Sequence, residues 1–220
     1  MNYQNSPRER LLLQMYGYML DRLGPSQWWP GGSPFEVCIG AILTQNTNWS
    51  NVEKAILNLE EKSLLYPDKL FRLTEEELAE LIRPAGYFRI KASRVKNFLF
   101  FLKNEASFDL EILSRQDLSQ LRHKLLAVKG IGPETADSIL LYALKKPTFV
   151  VDTYTARICN RHSLVPEDIG YEELRNYFMD VLPLDIDLFN EFHALLVRVG
   201  KHWCKKKSGL CGDCPLYSFL

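Results

Sequence analysis

Helix-start signals recur along this chain, and no stretch alternates apolar and polar residues as a half-buried strand would. Ser6-Pro7 sets an N-cap and a first-turn proline ahead of RERLLLQMYGYMLDRLG, and Gly24 supplies the stop. Ser33 to Glu36, Ser50 to Glu53 and Thr74 to Glu77 each fit the S/T-x-x-E capping box. Behind the caps, apolar residues return at helical spacing, as at Leu78, Leu81 and Ile82. RIKASRVKNFLFFLKN, LSQLRHKLLAV, YEELRNYFMDVL and DLFNEFHALLVRVGKHW read the same way, and no repeat of fixed period runs through them. The fold class is all-α.

Composition narrows the setting. With 46% apolar and 25% charged residues over 220 positions, the chain can bury a real core as one large domain or two small lobes. Formal net charge is zero, so any nucleic-acid face must come from local clustering. MNYQNSPRER lacks the charged-then-apolar order of a signal peptide, and no apolar run reaches membrane-spanning length. A cytoplasmic protein is expected. In that compartment, five cysteines point to metal binding or burial rather than a disulfide framework.

One stretch asks for more than a fold: VKGIGPETADSILLYALKKPTFVVDTYTARICNR, from Val128 to Arg161. Lys129-Gly130-Ile131-Gly132 joins two helices through a tight reversal. Glycines there suit a plain helix–helix connection, and they equally leave backbone N–H groups open to a phosphate at the next helix's N-terminus. Asp152 follows an apolar run at the start of another helix. It reads either as a simple N-cap or as a carboxylate presented at the mouth of a cleft.

The order hairpin, helix, V-V-D-T, then R-x-C-N-R resembles the helix-hairpin-helix DNA glycosylases, the endonuclease III-like superfamily. SPFEVCIGAILTQNTNWSNVEKA is similar to that family's early helix pair, GYFRIKASRVKNF to its middle helix, and VRVGKHWC to the entry of its C-terminal iron–sulfur loop. The resemblance covers nearly the whole chain. It implies a six-helix domain over residues 27–146, a second domain from residues 1–26 and 147–220, and an active cleft between two lobes. It also implies a monomer whose partner is double-stranded DNA carrying damaged bases, with no membrane involved.

On this resemblance Asp152 matches the catalytic aspartate. Cleaving an N-glycosidic bond develops positive charge on the sugar, which an ionised carboxylate can stabilise while orienting or deprotonating water. Glu134 stands where bifunctional members carry a lysine that forms a Schiff base and cuts the strand. A glutamate cannot do that, so hydrolysis without lyase activity is expected. Glu134 also suits the first turn of a helix on its own account.

The aromatics bear on substrate. Trp28, Trp29 and Pro30 precede the early helix pair, and Trp49 follows L-T-Q-N-T. Each tryptophan is as well read as core. Together they are similar to a monofunctional 3-methyladenine branch, in which flat side chains sandwich a flipped base and gain cation–π attraction for a cationic methylated purine. Gln45 and Asn46 match the region that fills the gap left by the flipped base. Lys129, Gly130, Gly132 and Thr135 match the hairpin's DNA contacts.

Cys204-x6-Cys211-x2-Cys214 begins the family's four-cysteine loop, but the fourth place falls on Leu220. The resemblance implies a [4Fe–4S] cluster with an incomplete thiolate set. Zinc or no metal are the alternatives. Cys38 and Cys159 lie in apolar helical contexts and read as buried.

The expected activity is monofunctional release of alkylated bases. Adenine excision at mismatches is a rival, disfavoured because the sequence stops soon after the cysteine loop, with no room for a further mismatch-reading domain. A bifunctional oxidised-pyrimidine enzyme is disfavoured by Glu134. A non-catalytic DNA-binding or redox protein on the same scaffold is disfavoured by Asp152.

Overall fold

In the computed structural model, residues 6–26, 28 and 32–220 are described; Trp29 and Pro30 lie outside them. The expected caps shape the chain from its start. The Ser6 hydroxyl accepts from the Glu9 amide at 3.0 Å, Pro7 opens α1 (Pro7–Leu23), and Gly24 closes it at φ +66°. α2 (Pro34–Leu43) begins at Ser33, α3 (Trp49–Glu61) at Asn48, and α4 (Pro67–Arg72) at Tyr66. α5 (Glu75–Leu81) carries the full capping box: Thr74 accepts from the Glu77 amide at 3.1 Å, and Glu77 accepts from the Thr74 amide at 2.7 Å. α6 (Phe88–Ala106), α7 (Leu110–Ser114), α8 (Leu118–Leu126) and α9 (Pro133–Ser138) follow, α9 running on into a π turn at Ile139–Ala143. α10 (Thr153–Arg161), α11 (Tyr171–Met179) and α12 (Ile186–His202) complete the helices, and among the described residues no strand forms.

Two of the expected caps differ. Ser33 accepts from the Glu36 amide, but Glu36 reaches back to the Gly32 amide at 2.7 Å instead of to Ser33 itself. The N-cap of α3 falls at Asn48, two residues before Ser50, because the Asn48 side chain accepts from the Asn51 amide at 3.1 Å. Asparagine is at least as good an N-cap as serine, so the earlier residue captures the helix start. Glu53 is left to accept from the Trp49 indole at 2.6 Å.

The chain divides into two compact units, residues 1–28 with 147–220, and residues 29–146. In the second of these, α2 is buried on every side from Phe35 through Leu43 apart from Glu36. Such a helix is a core element rather than an amphipathic cover. Its C-terminal carbonyl at Leu43 would be an orphan, and Lys91 of α6 resolves it. The Lys91 ammonium, almost wholly buried, donates to Leu43 O at 2.8 Å and to Ala85 O at 2.7 Å. Burial, with the neighbouring Arg94 charge, brings the lysine down to about 8, still protonated at neutral pH.

In the unit formed by both ends of the chain, the apolar run before Asp152 finds its purpose. Phe149 stacks on Phe178 of α11 at 4.2 Å between centroids and meets Phe189 and Phe192 of α12 edge-on. Val150 and Val151 are buried beside it. Gly200 lets α12 approach α10 closely, since a Cβ there would stand 2.4 Å from the Tyr154 ring. Arg198 of α12 then donates to Gly24 O at 2.7 Å, holding the C-terminus of α1.

Candidate active site

Asp152 is the N-cap of α10, so the bland reading of the sequence is correct as far as it goes. One carboxylate oxygen, Oδ1, accepts from the Thr155 amide at 2.7 Å and from the Thr155 hydroxyl at 2.9 Å. The other oxygen does something a cap does not require. Oδ2 faces His193 Nε2 of α12 at 3.7 Å, with both side chains nearly buried. That separation is an ion-pair distance and too long for a hydrogen bond. Burial alone would raise the Asp152 pKa, but His193 and the two Thr155 donors outweigh it and bring it below the ordinary carboxylate value. The group is therefore an anion held in a dry place, one oxygen hydrogen-bonded to Thr155 and the other facing His193. His193 and Thr155 were not singled out from the sequence; a histidine inside the apolar face of F-H-A-L-L-V was the available signal.

The hairpin belongs to the other unit. Gly130 sits at φ +96°, and a Cβ there would stand 2.3 Å from Arg94 Cγ, so glycine is demanded. Gly132 is different: it caps α9 at φ −90°, ψ 176°, and a Cβ there would meet nothing within 4 Å. Any residue adopts that backbone, which corrects the expectation that both glycines serve the reversal. Beneath the turn, Arg122 of α8 grips the fully buried Asp137 of α9 with two bonds of 2.9 Å. That buried carboxylate, unmarked in the sequence reading, ties the two hairpin helices together.

Gln45 and Thr135 come together, though not as surface groups. The Gln45 amide donates to Thr135 Oγ1 at 2.8 Å and to Gly130 O at 3.1 Å, while its oxygen accepts from Arg94. Thr135 is buried, so its side chain serves the hairpin from inside. Asn46, Lys129 and Glu134 are exposed, Asn46 with φ +54°. Trp49 is half-buried at the start of α3. Trp28 lies in the unit of both chain ends, half-buried, with the Lys201 ammonium 5.9 Å from its ring centroid. It lines a groove with Tyr16, Asp185 and Glu191.

Cys204, Cys211 and Cys214 line one cavity behind α10. Arg161 Nη1 donates to Cys204 Sγ at 3.3 Å, and the Leu216 amide donates to Cys214 Sγ at 3.4 Å. Cys38 and Cys159 are buried, with thiols pushed up by burial, that of Cys159 to about 12. Among the described residues, no three His, Cys, Asp or Glu side chains converge on a point that could hold a single metal ion.

A tight inter-helix turn with exposed backbone, an all-α body in two units, and a buried anionic helix cap define a protein of the helix-hairpin-helix class. A family model for HhH-GPD superfamily base excision DNA repair proteins matches residues 39–184. A provisionally named DNA repair glycosylase of Methanocaldococcus jannaschii is 43% identical over 210 residues, covering 95% of this chain and 95% of that protein. Endonuclease III of Thermotoga maritima is 31% identical over 83% of this chain and 80% of its own length. Among solved structures, H. pylori 3-methyladenine DNA glycosylase (MagIII) bound to 1,N6-ethenoadenine superposes with a TM-score of 0.75 at 28% identity, covering 88% of this chain and 97% of that one. A non-covalent Endonuclease III–DNA complex shares the fold, with a TM-score of 0.81 at 23% identity over 96% of this chain and 94% of that one. The chain belongs to the HhH-GPD superfamily of base excision DNA repair proteins.

Proposed function

We propose that this DNA glycosylase is monofunctional and releases alkylated purines of the 3-methyladenine kind by hydrolysis. The observation that carries the reading is the divided carboxylate of Asp152, with Oδ1 fixed by Thr155 and Oδ2 left facing His193. An anion whose orientation is set by a helix cap needs no reorganisation when positive charge develops on the deoxyribose. Its Oδ2, not tied up in the helix cap, can stabilise that charge or take a proton from water. Glu134, exposed in the first turn of α9, offers no amine for a Schiff base, so the reaction ends at an abasic site.

The substrate class is supported by the likeness to MagIII and by the groove beside Trp28. That groove pairs aromatic rings with the carboxylates of Asp185 and Glu191, a lining that suits a cationic base better than a neutral one. Lys129, the Gly132 amide and the exposed Lys205, Lys206 and Lys207 serve as phosphate contacts, and Asn46 fills the helix gap. The relatives named Endonuclease III favour the rival reading of a bifunctional oxidised-pyrimidine enzyme, which Glu134 opposes. The test is release of free base from duplexes carrying a panel of lesions, with strand nicking scored separately. Methylated purines should leave ahead of uracil, thymine glycol and mismatched adenine. Mismatched adenine as the best substrate by a wide margin would defeat the alkylation reading.

We read the three cysteines as ligands of an iron–sulfur cluster, as their spacing in the family resemblance implies. They share a cavity and two of their sulfurs accept N–H donors, as thiolate ligands do, yet they do not converge on one point. A cubane takes its ligands at separate corners, so convergence is not required of it. Held by Cys204, Cys211 and Cys214, a [4Fe–4S] group would cross-link the loop to itself and to the end of α12, away from the base chemistry.

A further inference from the structure

The place that the cysteine pattern reserves for a fourth thiolate is Leu220, whose side chain cannot ligate iron. Leu220 lines the same cavity as the three cysteines, and so does His162. We infer that His162, through Nε2, is the fourth protein ligand of a cluster held by Cys204, Cys211 and Cys214; the inference rests on the cluster reading above.

The argument begins with the ring's other nitrogen. His162 Nδ1 lies 3.1 Å from Phe219 O. A carbonyl oxygen only accepts, so Nδ1 must carry the hydrogen in that contact. The neutral ring then has its lone pair on Nε2, and among the described residues nothing hydrogen-bonds that atom. This is the arrangement in which histidine binds metals: one nitrogen donates to a backbone carbonyl, fixing tautomer and ring orientation, while the other ligates. The bond to Phe219 also ties the ring to the residue preceding the vacated thiolate position.

The ring is held on a firm base. His162 is the C-cap of α10, and Arg157 of that helix donates from Nε to Cys204 O at 2.7 Å. Arg161, next to His162, donates to Cys204 Sγ. Consecutive residues at one helix end thus address the cysteine loop, one as a donor to sulfur and the other with a free nitrogen lone pair. An imidazole in place of a thiolate leaves the cluster one unit less negative, which raises its reduction potential relative to four-cysteine ligation.

The experiment uses the full chain, purified anaerobically and reconstituted with iron and sulfide. Four irons with matching acid-labile sulfide are expected. Pulsed electron paramagnetic resonance of the reduced protein, grown with isotopically labelled histidine, should show nitrogen coupling that disappears in His162→Ala. His162→Ala should also shed one iron on mild oxidation, giving a three-iron signal. His162→Cys should keep the full cluster, lose the coupling and lower the midpoint potential, which guards against mere misfolding of the alanine variant. Iron and sulfide bound at full ratio, with no histidine coupling and an unchanged His162→Ala spectrum, overturns the His162 assignment while leaving the cluster standing. A folded protein that binds no iron under these conditions overturns both, and base release measured on that same preparation reports separately on the glycosylase reading.

Discussion

Asp152 Oδ2 and His193 Nε2 face each other at 3.7 Å inside one unit of the fold, while Asp152 Oδ1 is occupied by Thr155. The two oxygens of one carboxylate therefore have different jobs. One fixes the start of α10, and the other supplies charge where water is scarce.

Asparagine at position 152 separates these jobs. Its side-chain oxygen can still accept from Thr155, so Asp152→Asn should keep the helix cap and the fold, as checked by circular dichroism. The charge is gone, so single-turnover base release should fall by about two orders of magnitude or more. Near wild-type turnover would sink the mechanism.

The same charge sets an acid limit. Asp152 has a folded pKa below its unfolded value, so its contribution to stability is present above the unfolded value, near 4. It is lost as pH falls through the folded value. Urea denaturation of wild type and Asp152→Asn should therefore differ at neutral pH and converge below the ordinary carboxylate range. A difference that grows on acidification would mean that burial, not His193 and Thr155, governs the group.

Strand cutting is the third point. Reaction should stop at an abasic site that breaks only in alkali or with an added lyase. Borohydride trapping should give no covalent protein–DNA adduct. An adduct at yields typical of lyases would mean that another amine, such as Lys129 or Lys201, has taken the role.

The two hairpin glycines should behave differently. Gly130→Ala meets both a left-handed backbone and the Arg94 side chain, so it should destabilise the protein by more than about 1 kcal/mol. Gly132→Ala has open space and ordinary dihedrals, so thermal stability should hardly change. Alanine keeps the backbone N–H, but its methyl should crowd a phosphate held against that amide, so DNA affinity should nonetheless drop in that variant. Unchanged affinity would show that no phosphate packs closely against Gly132.

Lys91 offers a test of the fold itself. Lys91→Met keeps the length of the side chain but strands the carbonyls of Leu43 and Ala85, so unfolding free energy should fall by about 2–4 kcal/mol. A neutral effect would show that water satisfies both carbonyls.

Local chemistry made the helices legible, because caps and apolar spacing act within a few residues. Ser6, Thr74 and Gly24 behave as that grammar predicts. Ser50 misled because Asn48, two residues earlier, is an equally good N-cap and captures the helix start. Asp152, the proposed catalytic carboxylate, was singled out through its motif. What the motif could not reveal was tertiary: His193 meets Asp152 through helix packing, and Arg122 meets Asp137 across a turn. Gln45 was legible as important but not as internal, since nothing local says that its amide points at Thr135.

α10 is nine residues long, so its backbone spans about 14 Å. The carboxylate of Asp152 begins it and the imidazole of His162 ends it. The helix is thus a short strut with the proposed catalytic carboxylate at one tip and its anchorage at the other, clamped to the cysteine loop by Arg157 and Arg161. A strut so brief has little room to bend, and loosening its anchored end tilts the other. On the proposed reading, oxidation of the cysteine loop would be felt at the far end of α10 as a misaimed Asp152 carboxylate, although that group itself transfers no electrons.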